Sequence, residues 1–171
     1  RLFVQTSQAN MIQNNEFDTI YHEHLSFFSI KSFCTIAKRA GLGVVDVLKT
    51  PIHGTSYVFI LSADEDDMSD FMSAFFMSAE PELNWPTLRV YAERCANVIT
   101  DLTEALNRYG REGYRLVGYG AAAKGNTLLN FGNVVLDYIV DDNPLKCGLY
   151  TPGMRIPCLL YTSPSPRDQR G

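Results

Sequence analysis

The chain has 171 residues, of which 46% are hydrophobic and 20% charged, and a net charge of −4. That length suits one ordinary domain or two small units, with the composition of a soluble globular protein. The acidic balance and the lack of any Lys/Arg cluster exclude a non-specific nucleic-acid binder, and no apolar run is long enough to cross a bilayer.

The four cysteines, Cys34, Cys95, Cys147 and Cys158, are widely spread and form no CxxC pair. This is neither a zinc-ligand spacing nor a secreted disulfide framework. With no signal peptide in view, free thiols in a reducing cytoplasm are the expectation.

In chain order, Leu2-Phe3-Val4 reads as the end of a buried strand. With Arg1 in first place, the N-terminus reads as a cut inside a domain. Ala9 to Asn15 predicts a short helix ending at Asn14-Asn15. Glu16-Phe17-Asp18-Thr19-Ile20-Tyr21-His22-Glu23-His24 follows, setting two of the three histidines around a glutamate and behind a tyrosine. In an extended chain His22 and His24 would share one face, and Tyr21 and Glu23 the other. In a loop or at a strand end, all four converge on one pocket. A histidine titrates near neutrality, and an adjacent carboxylate raises its basicity or fixes its tautomer, which is the outfit of a general base. A solvated strand end is the plainer alternative. His22 and His24 are not read as a metal site, because two ligands lack a third.

Ser29 suits the N-cap of a helix with Ile30, Phe33, Ile36, Ala37 and Ala40 on one face and Gly41 at its C-terminal cap. Gly43 to Leu48 and Tyr57 to Leu61 are strand candidates, the closing antiparallel hairpin of a larger α/β sheet. Asp64-Glu65-Asp66-Asp67 marks a boundary and a helix start. Met68, Phe71, Met72 and Phe75 recur at helical spacing, as packing residues do, and Pro81 and Pro86 interrupt them. Thr87 to Tyr109 predicts one long amphipathic helix, ended by Gly110 and Gly113, that carries the chain from one lobe to the next.

Tyr114 to Tyr119 reads as a strand running into Gly120-Ala121-Ala122-Ala123-Lys124-Gly125-Asn126-Thr127, after which Leu128-Leu129 begin a helix. Strand, small-residue turn and helix point backbone N–H groups at an anion. Lys124 adds a charge there, and Asn126 and Thr127 add donors. The spacing is neither a Walker loop nor a full GxGxxG, although Gly118-Tyr119-Gly120 begins like one, and tight strand–helix packing explains it equally well. A second strand, Asp137 to Asp141, ends in Asp142-Asn143-Pro144. Asp141 and Asn143 stand there either to hold a sugar hydroxyl or as solvated turn residues. From Cys158 to Gly171 the sequence turns into an aperiodic Ser/Pro/Arg stretch that resembles a translated sequencing-adapter peptide, and it is set aside as a non-native tail.

Taken together, Phe17 to Leu25, Gly118 to Thr127, and Asp141-Asp142-Asn143-Pro144 through Tyr150-Thr151-Pro152-Gly153 resemble the sugar C-methyltransferase family, over Asn14 to Pro157. Its members use S-adenosylmethionine and act on nucleotide-linked keto-deoxy sugars. The resemblance implies an α/β fold in four stretches. Residues 1–64 would be the end of a class I methyltransferase (Rossmann-like) domain and 65–112 a helical connector. Residues 113–157 would be an incomplete Rossmann-like C-terminal nucleotide-sugar-binding domain, and 158–171 the tail. The S-adenosylmethionine loop and the family's zinc-binding segment are expected upstream, so this stretch is expected to be inactive alone.

The resemblance further implies His24 as the base that takes a proton from the carbon beside the sugar ketone. Glu23 would orient it, and Tyr21 would hydrogen-bond the developing enolate. Gly120, Lys124, Asn126 and Thr127 would suit the diphosphate, and Asp141 and Asn143 the hydroxyls. One departure is His53-Gly54-Thr55-Ser56-Tyr57, where the family has His-Gly-Gly-Ser and a basic residue; Thr55 lacks glycine's freedom at positive φ. Two other readings compete: a non-catalytic nucleotide- or phosphate-binding Rossmann-like module, and an NAD-type oxidoreductase. The Tyr-His-Glu-His stretch favours the enzyme over the first, and the missing full GxGxxG disfavours the second.

Overall fold

A computed structural model of the chain describes residues 1–6, 10–52, 55–64 and 82–161. They fall into two units that part between Arg94 and Cys95, each with its own sheet. His53, Gly54, the Met/Phe stripe from Met68 to Phe75, Pro81 and the last ten residues lie outside the described residues.

The first unit comprises β1 (Leu2–Thr6), α1 (Met11–Asn14), a 3-10 turn (Phe17–Thr19), α2 (Ile30–Arg39), β2 (Gly43–Thr50) and β3 (Ser56–Ser62). The long helix α3 (Trp85–Arg111) starts in this unit. The sheet order is β1-β3-β2, with β3 antiparallel to both neighbours, so the expected hairpin is present. β1 is an edge strand, paired only with β3 among the described residues. Its Phe3 is 64% exposed, so the buried strand expected at Leu2-Phe3-Val4 is instead a largely solvated one.

Helix α2 begins at a reciprocal capping box. The Ser29 hydroxyl accepts from the Ser32 N–H at 3.0 Å, and Ser32 Oγ accepts from the Ser29 N–H at 2.9 Å. It ends in a Schellman turn, in which the N–H of Leu42 donates to Ala37 O and that of Gly41 to Lys38 O. Gly41 adopts φ 73°, which a side chain would resist. The buried stripe is Ile30, Phe33 and Ala37, narrower than expected, because Ile36 and Ala40 face solvent. Phe33 stacks on Phe59 at 3.8 Å between ring centroids, and Val44, Val47, Tyr57 and Leu61 complete the core.

Asn84 caps α3, its Oδ1 accepting from the Thr87 N–H at 2.9 Å. Pro86 therefore lies in the first turn, where no N–H is needed, and it opens this helix rather than breaking it. Of the expected stripe, Tyr91 and Cys95 are buried, whereas Leu88, Val98 and Tyr109 are exposed.

In the second unit β4 (Val117–Tyr119), α4 (Ala123–Gly132), β5 (Tyr138–Asp141) and β6 (Cys158–Leu160) follow the rest of α3. The strands run parallel in the order β4-β5-β6. Leu129, Val134, Ile139 and Ile156 form the core, joined by Leu102 and Leu106 of α3. Two expectations are corrected here. α4 starts at Ala123, not Leu128, so Lys124, Asn126 and Thr127 are helical and the turn shrinks to Gly120-Ala121-Ala122. Cys158–Leu160 is no part of a detached tail: it pairs with Ile139–Asp141, and Cys158 is buried.

Replacing Phe59, which is 0% exposed, by Ala is expected to lower stability by about 3–5 kcal/mol, the usual cost of deleting a buried aromatic ring. Urea unfolding measures it; a loss under about 1 kcal/mol would mean that this ring is not the centre of the core.

Candidate functional site

The chain between α1 and α2 carries the histidine stretch. Asn15 ends α1 in the left-handed region at φ 57°, and Arg94 of α3 holds that end through Nη2 to Ile12 O (2.7 Å) and Nε to Asn15 Oδ1 (2.8 Å). The 3-10 turn follows at once and buries Phe17 and Thr19. The Thr19 hydroxyl donates back to Glu16 O at 2.8 Å, which closes the turn on itself. The fully buried Thr19 thus presents its carbonyl at a fixed place.

That carbonyl accepts from the Tyr21 N–H at 3.1 Å and lies 2.7 Å from His24 Nδ1. A carbonyl oxygen only accepts, so Nδ1 carries the proton of this contact. The His24 N–H donates to Tyr21 O at 2.9 Å, and the Tyr21 and His24 rings lie 4.3 Å apart at 36°. Phe27 meets the His24 ring edge-on at 6.2 Å. Glu23, expected to orient His24, instead lies 4.0 Å from His22 Nε2, and both of those side chains are largely solvated. Tyr21 and His24 are brought together; the orienting group is a backbone carbonyl that no sequence pattern announces.

In the second unit Gly118 and Gly120 have separate reasons. A Cβ at Gly118 would meet Ile139 Cγ1 at 2.9 Å, so glycine permits close packing of the strand; Gly120 turns the chain at φ 88°. Ala122 then stands at the N-cap of α4 with no side-chain acceptor for its first turn. Thr127 Oγ1 donates within the helix to Ala123 O at 3.3 Å, and Asn126 Oδ1 accepts from Asn130 Nδ2 at 3.2 Å.

Asp141 is not a solvated turn residue. It is 6% exposed, and its Oδ2 accepts from the Ala121 N–H (2.7 Å) and from Lys146 Nζ (2.9 Å) while Oδ1 accepts from the Asn143 N–H (2.9 Å). Lys146, with help from the Asn143 and Ala121 N–H groups, lowers its pKa from 3.8 to about 2. Asn143 Oδ1 accepts from the Leu145 N–H at 3.0 Å in a turn of its own.

A cavity of about 290 Å³ opens beside the turn, walled by Gly120 to Ala122, Gly125, Asn126, Leu129 and the loop from Lys146 to Pro152. Among the candidates from the sequence, Gly120 and Asn126 line it; Lys124, Thr127, Asp141 and Asn143 do not, and Lys146, which the sequence reading passed over, does. Lys146 lies five residues beyond Asp141, a spacing with no motif to mark it. A second cavity of about 310 Å³, lined largely by apolar side chains including Ile20, Phe27 and Tyr91, lies in the first unit. Among the described residues no three His, Cys, Asp or Glu side chains converge as a metal site requires, and no helix is long and apolar enough to cross a membrane.

An antiparallel-inserted sheet, a parallel sheet with a glycine turn and a carbonyl-held histidine are the parts in hand. Residues 51–164 match the family described as the C-methyltransferase C-terminal domain, and the chain belongs to that family. That match runs past Pro157 through β6 and begins after the Tyr21–His24 stretch. The chain is 35% identical over 156 residues to C-methyltransferase NovU of Streptomyces niveus, covering 87% of this chain and 37% of that relative. It thus spans well under half the length of the relative it matches.

Because Asp141 is held ionised in the folded unit, its contribution to stability is present above its ordinary pKa of 3.8 and is lost as pH falls through about 2. The urea midpoint is therefore expected to fall over that interval, and Asp141→Asn to flatten this part of the profile. An unchanged profile in the variant would remove Asp141 as the source.

Proposed function

We propose that the full-length protein carrying this sequence methylates the carbon beside the ketone of a nucleotide-linked deoxy sugar, with His24 as the base. The observation that supports this reading is the 2.7 Å contact from His24 Nδ1 to the Thr19 carbonyl, which selects the tautomer a base acting through Nε2 needs. Nε2 takes the proton from the carbon next to the ketone. The Tyr21 hydroxyl hydrogen-bonds the oxygen on which negative charge develops. S-adenosylmethionine, the donor that the family implies, supplies the methyl group to the enolate carbon when bound.

The described residues do not build that donor's site. The lining of the first unit's cavity includes no carboxylate for ribose hydroxyls, and Asp141 in the second unit already accepts three hydrogen bonds. The donor's loop and the family's zinc-binding segment would lie upstream of these residues. The 290 Å³ cavity is assigned to the nucleotide sugar, a small-molecule partner. The insertion of β3 antiparallel between β1 and β2 supports reading unit one as the end of a class I methyltransferase domain. The parallel β4-β5-β6 sheet supports reading unit two as Rossmann-like.

In the full-length protein His24→Gln is expected to slow both methyl transfer and deuterium exchange at the carbon beside the ketone by about 10²–10⁴-fold, the usual worth of a positioned base. Mass spectrometry of the keto sugar in deuterium oxide reads the exchange. Near-parental exchange in the variant would sink the assignment. A second reading, a nucleotide-binding module without catalysis, draws on the family match beginning only at residue 51. It predicts intact nucleotide affinity and no exchange in the parent either.

A further inference from the structure

Helix α1 has four residues, too few to keep its shape without outside support. At its start Asn10 provides no side-chain cap; the Asn10 Oδ1 accepts instead from Lys49 Nζ at 3.2 Å. At its end Asn15 enters the left-handed region, and this changes where the next N–H points. In a continuing helix the Glu16 N–H would bond Ile12 O, but here it donates to Met11 O at 3.0 Å. Ile12 O thereby loses its helical donor. Arg94 Nη2 replaces that donor at 2.7 Å, while its Nε donates to Asn15 Oδ1 at 2.8 Å. One rigid guanidinium thus bridges the last turn of α1 and the residue that ends it. The tie to Asn15 crosses 79 residues of sequence and stays within the first unit. From Asn15 onward every step toward the imidazole is a short hydrogen bond. The Phe17 N–H donates to Asn15 O at 2.9 Å, the Thr19 hydroxyl to Glu16 O at 2.8 Å, and His24 Nδ1 to Thr19 O at 2.7 Å.

We propose that Arg94 is a positioning residue for His24: by holding the end of α1 it sets the 3-10 turn whose Thr19 carbonyl keeps the proton on Nδ1. The proposal rests on the reading of His24 as the base. Arg94 acts at a distance, through Ile12 and Asn15, and bonds neither the imidazole nor the Thr19 carbonyl. It is exposed, so its removal opens no hole in the core. Its loss therefore bears on where the ring stands rather than on whether the unit folds.

The experiment uses the full-length protein and its Arg94→Met, Arg94→Lys, Asn15→Gly and Arg89→Met variants. Two quantities are read: deuterium exchange at the carbon beside the ketone, and the tautomer of His24 by nitrogen NMR of isotope-labelled histidine. Arg94→Met, which keeps the aliphatic stem, is expected to slow exchange at saturating substrate by about tenfold to a hundredfold with KM within about twofold of the parent, the scale of loss when a reacting group is misplaced by about an ångström. The His24 ring is expected to pass from the Nδ1–H form to a mixture of tautomers. Asn15→Gly accepts the left-handed backbone and removes only the acceptor of Nε, so it is expected to shift both readings in the same direction. The double variant is expected to be no slower than Arg94→Met alone, because both changes cut one link. Arg94→Lys, a point charge in place of a fork, is expected to restore part of the rate. Arg89→Met, on the same helix and paired with Glu93 at 3.3 Å, is expected to exchange at the parental rate. A parental tautomer in Arg94→Met overturns the proposal, as does a loss carried by KM alone with the saturated rate unchanged. Parental exchange in His24→Gln would remove the base reading, and the nitrogen spectrum of Arg94→Met would still decide whether Arg94 positions the ring.

Discussion

A carboxylate that must accept three hydrogen bonds organises the second unit. Asp141 ends β5, and its donors come from the turn after β4, from the residue two further on, and from Lys146 in the following loop. A buried carboxylate is costly unless each lone pair finds a partner. Satisfying Asp141 therefore forces the turn from Gly120 to Ala122 against the end of β5 and folds the loop after it back toward the same point. The β4–α4 turn, the Asn143 turn and the position of Lys146 all follow from that one requirement.

The first unit repeats the device with a backbone group. Thr19 is buried, its hydroxyl is spent on Glu16 O, and its carbonyl gathers Tyr21 and His24. A 3-10 turn is short and its hydrogen bonds are poor, so its fixity comes from outside: Arg94 clamps the end of α1, and Phe17 and Thr19 are packed inside. The histidine is presented by a loop, but the loop is pinned at both ends, since Ser29 begins α2 only five residues later.

Much of the fold was legible because local rules and tertiary packing agreed. Ser29 and Gly41 delimit α2, the valine-rich run and Tyr57 to Leu61 pair as a hairpin, and the long helix after Asn84 is where its periodicity placed it. Failures came where two readings of the same residues competed. Ala121-Ala122-Ala123 has few side-chain atoms to mark a boundary, so the helix start slid by five residues; alanine is the best helix former, and the turn was shorter than its small residues suggested. Cys158-Leu159-Leu160 runs straight into the Ser/Pro stretch and carries no strand signal of its own, yet three apolar residues suffice for a strand when β5 offers a free edge. In the candidate site, Tyr21 and His24 were recognisable as side chains. Thr19 was not, because it acts through a carbonyl that every residue possesses.

The contrast between Glu23 and Thr19 bears on what kind of base this arrangement suits. A carboxylate behind a histidine favours the protonated, doubly donating ring, whereas a carbonyl selects a tautomer without adding charge. Glu23 lies beside the solvated His22, and a neutral carbonyl, already engaged by the Tyr21 N–H, is a partner of His24 Nδ1. That contact fixes the proton on Nδ1. Abstraction of a proton from carbon asks for such a ring, uncharged at the moment of transfer and aimed before substrate arrives. Tyr21 then matters less as a neighbour in sequence than as the residue whose backbone closes the turn and whose ring lies 4.3 Å from the imidazole. One short segment thus supplies the proposed base, its tautomer and the hydroxyl closest in sequence to it.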